Sequence, residues 1–188
     1  IVSTDAHALH VHRGMGLVAD IFDAEELAKL PGGAAIGHVR YSTTGSSAWE
    51  NAQPIVRDDR RTLALAHNGN LINAVELHSE LRGRDVPFRS TSDSEIIAAL
   101  LATHPAERIE DAVVDVLPRL RGAFSTVVMT EDAVVAFRDP HGLRPLCLGM
   151  IEDQGGGMPV YCVASESCAL DLIGARYLRD VQPGEVVT

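Results

Sequence analysis

Strand-like runs of apolar residues occur in neighbouring pairs along this sequence, and short turns separate the two members of a pair. Phe124–Thr130 and Ala133–Arg138, for example, are separated only by Glu131 and Asp132. A connection of this length joins antiparallel strands, because a parallel pair needs a crossover of about a dozen residues or more. The predicted strands are Ala8–His12, Ala34–Tyr41, Thr62–His67, Phe124–Thr130, Ala133–Arg138, Pro145–Ile151, Val160–Ala164 and Glu185–Thr188.

Helical patterns are fewer and cluster in the middle of the chain. The predicted helices are Ala24–Leu30, Ala74–Arg82, Ser94–Thr103, Glu107–Leu120 and Ala169–Leu178. Asn73 and Glu76 resemble a capping box ahead of the second helix. Ser92 and Glu95 resemble a second capping box, ahead of the predicted helix Ser94–Thr103. Pro118 is expected to kink or end the predicted helix Glu107–Leu120. Because helices do not alternate strictly with strands, the pattern favours an α+β fold of mainly antiparallel sheets over a doubly wound parallel one.

The composition excludes several classes of protein. The chain has 188 residues, 46% of them apolar and 22% charged, which is enough for one domain with its own core. No apolar run approaches the roughly 20 residues that cross a bilayer. The formal net charge of −10 argues against nucleic-acid binding. Cys147, Cys162 and Cys168 lack CxxC spacing, so we expect neither a disulfide framework nor a metal site, and a reducing cytoplasmic setting fits best.

Arg40 follows an apolar run and precedes a loop of small hydroxyl residues and glycine. On a strand, Ile36, His38 and Arg40 would share one face. An arginine at a strand end can donate two parallel hydrogen bonds to a carboxylate or a phosphate. The local pattern leaves open a surface arginine that pairs with one of the 26 acidic residues.

Asn68 and Gly69 follow the apolar run Thr62–His67 and precede a predicted helix. Asn-Gly is a common tight-turn dipeptide, so a structural turn is the first interpretation. The next predicted element along the chain is a helix rather than a partner strand, however. Backbone N–H groups at a strand-to-helix turn, together with an amide side chain, can form an oxyanion hole. Both interpretations stay open at this level.

Asp93 shares a helix face with Ile96 and Leu100, so it lies at the N-terminal end of the apolar stripe of its predicted helix. The helix dipole is a sufficient structural explanation for an acid at this place. A carboxylate that is directed inward needs a partner, however, and the ammonium group of a substrate would be one.

Seven segments resemble, in their order and in their residues, the motifs of the class II glutamine amidotransferases, which use an N-terminal nucleophile. They read GHVRYSTTGSS, WENAQP, LAHNGNL, STSDSE, RDPHGLRPL, ASES and PGEVV, and they cover nearly the whole chain. Within that class the wording is similar to the amidophosphoribosyltransferase family of purine synthesis. Glucosamine-6-phosphate synthases usually have Trp after the arginine and His at the place of Thr44. The resemblance implies an αββα four-layer sandwich of mainly antiparallel sheets, of the N-terminal-nucleophile hydrolase type.

The resemblance also implies roles for the residues at matching positions. Arg40 would bind the α-carboxylate of glutamine, and Thr43 would line the same pocket. Asn68 and Gly69 would form the oxyanion hole, with Gly69 also near the amino end of the substrate. Asp93 would take the α-ammonium group. These groups would together bind a zwitterion that carries a reactive amide.

The nucleophile of the family is the N-terminal cysteine of the mature chain, whose thiol attacks the amide while its α-amine serves as base. Residue 1 here is Ile, and Cys147, Cys162 and Cys168 lie in the wrong motifs to replace that cysteine. We therefore expect 1–188 to be a type 2 glutamine amidotransferase domain that is truncated at its N-terminus, without its first strands and without a phosphoribosyltransferase domain. Such a segment is expected to be inactive alone.

In the intact protein the expected function is hydrolysis of glutamine to glutamate and ammonia, for phosphoribosylamine formation from phosphoribosyl pyrophosphate. The resemblance implies no cofactor in this segment, Mg²⁺ with the absent domain, and an iron–sulfur cluster in some members. It also implies a homo-oligomer in the cytoplasm, with neither nucleic acid nor membrane as partner. The alternatives are another class II glutamine amidotransferase, or a non-catalytic module that binds an amino acid or a partner protein.

Overall fold

The computed structural model describes residues 1–40, 49–152 and 157–188. In these ranges the strands are β1 (Val2–Thr4), β2 (Leu9–Val11), β3 (Ala34–Ile36), β4 (Ile55–Asp58), β5 (Thr62–Leu71), β6 (Gly122–Met129), β7 (Val134–Arg138), β8 (Cys147–Ile151), β9 (Val160–Ala164), β10 (Arg176–Asp180) and β11 (Val186–Val187). The α-helices are α1 (Val18–Ile21), α2 (Ala24–Ala28), α3 (Ala74–Arg82), α4 (Asp93–Ala102), α5 (Ile109–Val116) and α6 (Ser167–Leu172). Two 3₁₀ helices cover Trp49–Asn51 and Leu117–Arg119.

A five-stranded sheet in the order β11-β7-β6-β5-β4 forms the centre of the fold. Its longest pairing joins β5 to β6, from Ala64 opposite Met129 to Leu71 opposite Gly122. β6 and β7 form the hairpin that the sequence predicts. Every pairing in this sheet is antiparallel, so the predicted sheet type is confirmed.

Helices α3, α4 and α5 cover one face of the central sheet. Leu63, Leu65 and Leu71 of β5 point to that side and join a buried cluster with the apolar residues of the three helices. α4 is buried from residue 94 to residue 102. A helix that is apolar on all sides belongs in a protein interior, and α4 therefore holds its first residue, Asp93, in a fixed place against the sheet.

Two three-stranded sheets, β2-β1-β3 and β10-β8-β9, cover the opposite face. Ala64 and Ala66 alternate with the helix-facing leucines of β5, so they point to this second side. There they pack in one cluster with Val2 of β1 and Ile36 of β3. The other small sheet contacts the central sheet through a second cluster that includes Leu146, just before β8.

α6 covers the outer face of the sheet β10-β8-β9. Leu170 of α6 is buried in a cluster with Cys147 and lies over Gly149, where a Cβ atom would be 2.8 Å from the leucine side chain. The layers are therefore helix, sheet, sheet and helix. This is the αββα arrangement that the resemblance predicts, within the α+β class that the strand pattern indicates.

The predicted strand Ala34–Tyr41 is too long. β3 ends at Ile36, which pairs with Val2, the first residue of β1. Residues 37–40 continue as irregular chain. Tyr41 lies outside the described residues. The prediction that Arg40 ends a strand is therefore wrong, because the neighbouring strand provides backbone partners only as far as Ile36.

The predicted helix Ala169–Leu178 is wrong in its second half. α6 ends at Leu172, and Gly174 adopts a left-handed φ of +69°, which is typical of a helix end. The next residues, Arg176–Asp180, pair with β8 as strand β10. Local apolar spacing favours a helix here, but the partner strand that makes β10 comes from an earlier part of the chain.

The other predicted helices are confirmed with changes at their ends. α5 stops at Val116, and a 3₁₀ turn that contains Pro118 comes next, as expected for proline. The predicted capping box at Asn73 does not form, because its side chain bonds instead to the Arg119 carbonyl and the Arg121 N–H. The short strands β1 and β4 were not predicted. No helix in the described ranges is long and apolar enough to span a membrane.

Candidate active site

Asn68 and Gly69 lie inside β5, where they face Ser125 and Phe124 of β6. The tight-turn interpretation is therefore wrong, because a strand from beyond three helices pairs with this dipeptide. Gly69 has φ +133°, and a Cβ atom there would lie 2.0 Å from the carbonyl oxygen of Ala123. Only glycine tolerates this backbone conformation and this close approach of two strands.

Gly69 directs its N–H toward an open edge of the sheet. Phe124, opposite Gly69, uses both of its backbone groups on Asp139: its N–H donates to Asp139 Oδ2 at 3.0 Å, and its carbonyl accepts from the Asp139 N–H at 2.9 Å. In an antiparallel pair, facing residues exchange either both hydrogen bonds or neither. The Gly69 N–H therefore points away from β6. The pairing of β5 with β4 ends at Leu65, so no strand of the described ranges pairs with this side of Gly69.

Two side chains bond to the same edge of β5 on either side of Gly69. Gln53 accepts from the His67 N–H through Oε1 at 2.7 Å and donates to the His67 carbonyl through Nε2 at 3.2 Å. Asp93 Oδ2 accepts from the Leu71 N–H at 2.9 Å. The N–H of Gly69 thus lies between a carboxamide and a carboxylate, in a place suited to a polar ligand.

Asp93 begins α4, as the sequence predicts for an acid at the start of the apolar stripe. Its side chain keeps 20% of its surface exposed, and its Oδ1 lies 3.7 Å from His67 Nδ1. A carboxylate at a helix N-terminus is stabilised by the helix dipole. Because its Oδ2 also binds the end of β5, Asp93 combines the structural role with a position beside the open edge.

A buried ion pair holds the segment that leads into Asp93. Glu95 is 3% exposed and accepts hydrogen bonds from the backbone N–H groups of Arg89 and Ser90. Arg57 Nη1 donates to Glu95 Oε1 at 3.1 Å. Sequence reasoning gave Glu95 a capping role and missed Arg57, because this contact joins β4 to α4 and has no local pattern.

Two histidines near the site are kept neutral. Burial lowers the pKa of His38 to about 4, and the nearby Arg40 guanidinium adds to that shift. Burial also lowers the pKa of His67, against the opposing effect of the Asp93 carboxylate. His67 Nδ1 lies 3.0 Å from Ser94 Oγ. Arg40 is half-buried and close enough to His38 for its charge to act on that ring, whereas the Arg144 guanidinium acts on His67.

The structure thus brings three of the predicted residues, Asn68, Gly69 and Asp93, together on β5 and at its edge, and it places Arg40 close to His38. Thr43 lies outside the described residues. Gln53 was missed, although it belongs to the segment WENAQP. The sequence feature that could have identified Gln53 is an amide side chain just before β4.

The cysteines of the described ranges lie on β8, β9 and α6 and are free thiols. Burial raises the pKa of Cys147, and a hydrogen bond to the Glu166 carboxylate raises the pKa of Cys168. Thiols with raised pKa values are poor nucleophiles at neutral pH. Within the part of the chain that the structure describes, no group of three or more His, Cys, Asp or Glu side chains could hold a metal ion.

Known proteins resemble this chain in sequence. Residues 38–171 match the family described as "Glutamine amidotransferase domain". The amidophosphoribosyltransferase of Bacillus subtilis strain 168 is 43% identical over 189 residues, which cover 100% of this chain and 38% of that protein. The amidophosphoribosyltransferase of Synechococcus elongatus is 47% identical over 180 residues, which cover 94% of this chain and 36% of that protein.

Solved structures agree. The glutamine phosphoribosylpyrophosphate amidotransferase of B. subtilis, complexed with ADP and GMP, superposes with a TM-score of 0.87 at 42% identity, over 98% of this chain and 39% of its own. A structure described as the allosteric regulatory enzyme of purine biosynthesis gives 0.89 at 43% identity, again over 98% and 39%. The αββα fold is therefore of the N-terminal-nucleophile type.

This chain spans about two fifths of the length of these relatives. Their shared family does not favour the alternative of a non-catalytic binding module. With the family model matching residues 38–171 and 43% identity to an amidophosphoribosyltransferase over its whole length, the chain belongs to the glutamine amidotransferase domain family and is homologous to the amidophosphoribosyltransferases.

Proposed function

We propose that this domain hydrolyses glutamine to glutamate and ammonia, as the glutaminase part of an amidophosphoribosyltransferase. The observation that carries the proposal is the edge of β5 beyond its pairing with β4, where Gly69 follows Asn68 and lies between the residues that bond to Gln53 and to Asp93. Amide hydrolysis requires fixed donors for the oxyanion that develops on the carbonyl oxygen. It also requires a substrate held in one orientation, and a charged group beside the donors provides such a hold.

Each end of glutamine has a matching group in this proposal. The Arg40 guanidinium donates two hydrogen bonds to the α-carboxylate, in a pocket that Thr43 also lines. Asp93 accepts from the α-ammonium group. Asn68 Nδ2 and the Gly69 N–H donate to the side-chain carbonyl oxygen as it becomes an oxyanion. The neutral state of the nearby histidines leaves the negative charge of Asp93 for the substrate.

The nucleophile in this proposal is the thiol of an N-terminal cysteine upstream of Ile1. Its thiolate attacks the amide carbon, and the α-amine passes the thiol proton to the departing ammonia. Water then hydrolyses the thioester to glutamate and regenerates the thiol. The raised pKa values of Cys147 and Cys168, and their place on β8 and α6 rather than on β5, support a nucleophile from outside these residues.

The ammonia then reacts with phosphoribosyl pyrophosphate to give phosphoribosylamine and pyrophosphate, for purine biosynthesis. In this proposal, phosphoribosyl pyrophosphate and Mg²⁺ bind a transferase domain outside this sequence, and the ligands of an iron–sulfur cluster would also lie outside it. We place the intact enzyme in the cytoplasm as an assembly of identical chains. The free thiols in the described ranges fit a reducing compartment.

Two variants of the intact enzyme test the substrate contacts, one that removes the Asp93 charge and one that keeps the Arg40 charge without its pair of parallel donors. Asp93→Asn and Arg40→Lys are each expected to lower kcat/KM for glutamine about 10- to 100-fold, the value of a lost charge-assisted hydrogen bond. Synthesis of phosphoribosylamine from added free ammonia should stay unchanged, because it bypasses this site. Asp111→Asn, an exposed acid in the first turn of α5, is the matched control. Wild-type kcat/KM in both site variants would show that the pocket assignment is wrong.

A further inference from the structure

Ser165 lies between β9 and α6 and bonds to the central sheet. Its Oγ accepts a hydrogen bond from Asn68 Nδ2 at 2.8 Å, across a sequence separation of 97 residues. Ser165 belongs to the segment ASES, to which the proposed function gives no role. The bond therefore connects a loop of one sheet to the amide side chain that the proposed function places in the oxyanion hole.

A primary amide can offer either of two faces to a ligand. Its nitrogen carries two N–H donors, whereas its oxygen only accepts hydrogen bonds. When one N–H of Asn68 donates to Ser165 Oγ, the oxygen is turned away and the second N–H stays available for the developing oxyanion. Without this partner the amide can rotate and present its oxygen, which repels a negative charge.

The position of Ser165 is itself fixed from β6. β9 ends at Ala164, which pairs with Cys147 at the start of β8. The segment just before β8 is held by Ser125, whose Oγ lies 3.0 Å from the carbonyl oxygens of both Arg144 and Pro145. Ser125 is also the residue directly opposite Asn68 in the central sheet. One point of the central sheet therefore sets the distance between Asn68 and the loop of Ser165.

We propose that Ser165 is a positioning residue that orients the Asn68 amide for oxyanion stabilisation. This inference rests on the proposed function, since it assigns Ser165 a task only if Asn68 is an oxyanion donor. Ser165 acts through Asn68 and does not touch the substrate. Its loss should therefore reduce the rate of the chemical step and leave glutamine binding, which depends on Arg40 and Asp93, nearly unchanged.

Steady-state kinetics of the intact enzyme test whether kcat falls while KM for glutamine stays nearly unchanged. Loss of an oxyanion donor lowers kcat about 10²- to 10³-fold. Ser165→Ala misorients the donor without removing it, so it should lower kcat about tenfold. KM for glutamine should stay within about twofold of the wild-type value. Ser165→Thr keeps the hydroxyl and should recover most of kcat. Ser167→Ala, two residues further on in α6, is the matched control. An unchanged kcat in Ser165→Ala, or a loss that Ser165→Thr shares in full, would overturn the proposal.

A double-mutant cycle with Asn68→Ala separates this inference from the proposed function. If Ser165 acts through Asn68, Ser165→Ala has no further effect on kcat in the Asn68→Ala background. Multiplied losses would mean that Ser165 acts on something other than the Asn68 amide. A wild-type kcat in Asn68→Ala alone would instead refute the oxyanion assignment. Denaturation midpoints of each variant show whether a loss of kcat reflects unfolding.

Discussion

At the scale of single residues, two histidines link the stability of the fold to pH. His67 is 4% exposed, and burial lowers its pKa. Burial lowers the pKa of His38 to about 4, with a smaller contribution from the Arg40 guanidinium. An unfolded histidine titrates near 6.5. Between pH 6.5 and 4 the unfolded chain therefore binds protons that the folded chain excludes.

We expect the free energy of unfolding to be highest above pH 6.5 and to fall as the pH decreases from 6.5 to 4. Between pH 7.5 and pH 4.5, the shift of His38 alone corresponds to a loss of about 2–3 kcal/mol. Urea unfolding at pH 7.5 and pH 4.5 measures the loss. His38→Gln should reduce it, whereas His7→Gln, at an exposed turn, should leave it as in the wild type. Equal losses in wild type and His38→Gln would contradict the linkage.

At the scale of secondary-structure elements, the fit of β5 against β6 depends on glycine. Gly69 has φ +133°, and a Cβ atom there would meet the Ala123 carbonyl oxygen at 2.0 Å. Gly69→Ala is therefore expected to destabilise the fold by more than about 3 kcal/mol or to prevent folding. Gly33→Ala, where a Cβ would meet nothing within 4 Å, is the matched control. A Gly69→Ala protein with the wild-type denaturation midpoint would refute this requirement.

The contact between β4 and α4 gives a second prediction at this scale. Arg57 and Glu95 are 7% and 3% exposed, and removing one partner of a buried ion pair typically costs about 3–5 kcal/mol. Glu95→Ala should lose stability in that range. It should also raise KM for glutamine, because the segment ahead of Asp93 loses its anchor.

Glu80→Ala is the control for this prediction, since Glu80 pairs at the surface with Arg84 and Arg119. Exposed pairs contribute about 0–1 kcal/mol, so its denaturation midpoint should barely move. If Glu95→Ala and Glu80→Ala had the same small effect on stability, the buried pair would not be the anchor of this segment.

At the scale of the whole molecule, the four layers bring together Asn68, Gly69 and Asp93 of the proposed glutamine site, but residue 1 is Ile and has no thiol. A polypeptide of these 188 residues should therefore release no ammonia from glutamine above background. Fusion of a Cys-initiated N-terminal segment of the family should give turnover, and the same fusion with that cysteine changed to alanine should not. Cooperative unfolding confirms that each protein is folded. Ammonia release by the unfused chain would refute the proposed nucleophile.

The sequence alone determined the features that depend on local interactions and on the residues of the motifs. The hairpin between β6 and β7, the helix α3 and the end of α5 before Pro118 are set by patterns within a few residues. The seven segments identified the family, and through it the layer order. Asp93 could be placed at a buried helix start because helical periodicity is also local.

Only the tertiary structure decided how the site is assembled. A turn was the first interpretation of Asn68 and Gly69, but they pair with β6. The predicted helix Ala169–Leu178 includes the first residues of β10, which pair with β8. The bond from Ser165 to Asn68 joins residues 97 positions apart. Such contacts leave no periodic trace in the sequence, because each depends on where the chain returns after several intervening elements. The motifs therefore named the residues of the proposed site, whereas their arrangement in space required the packed sheets.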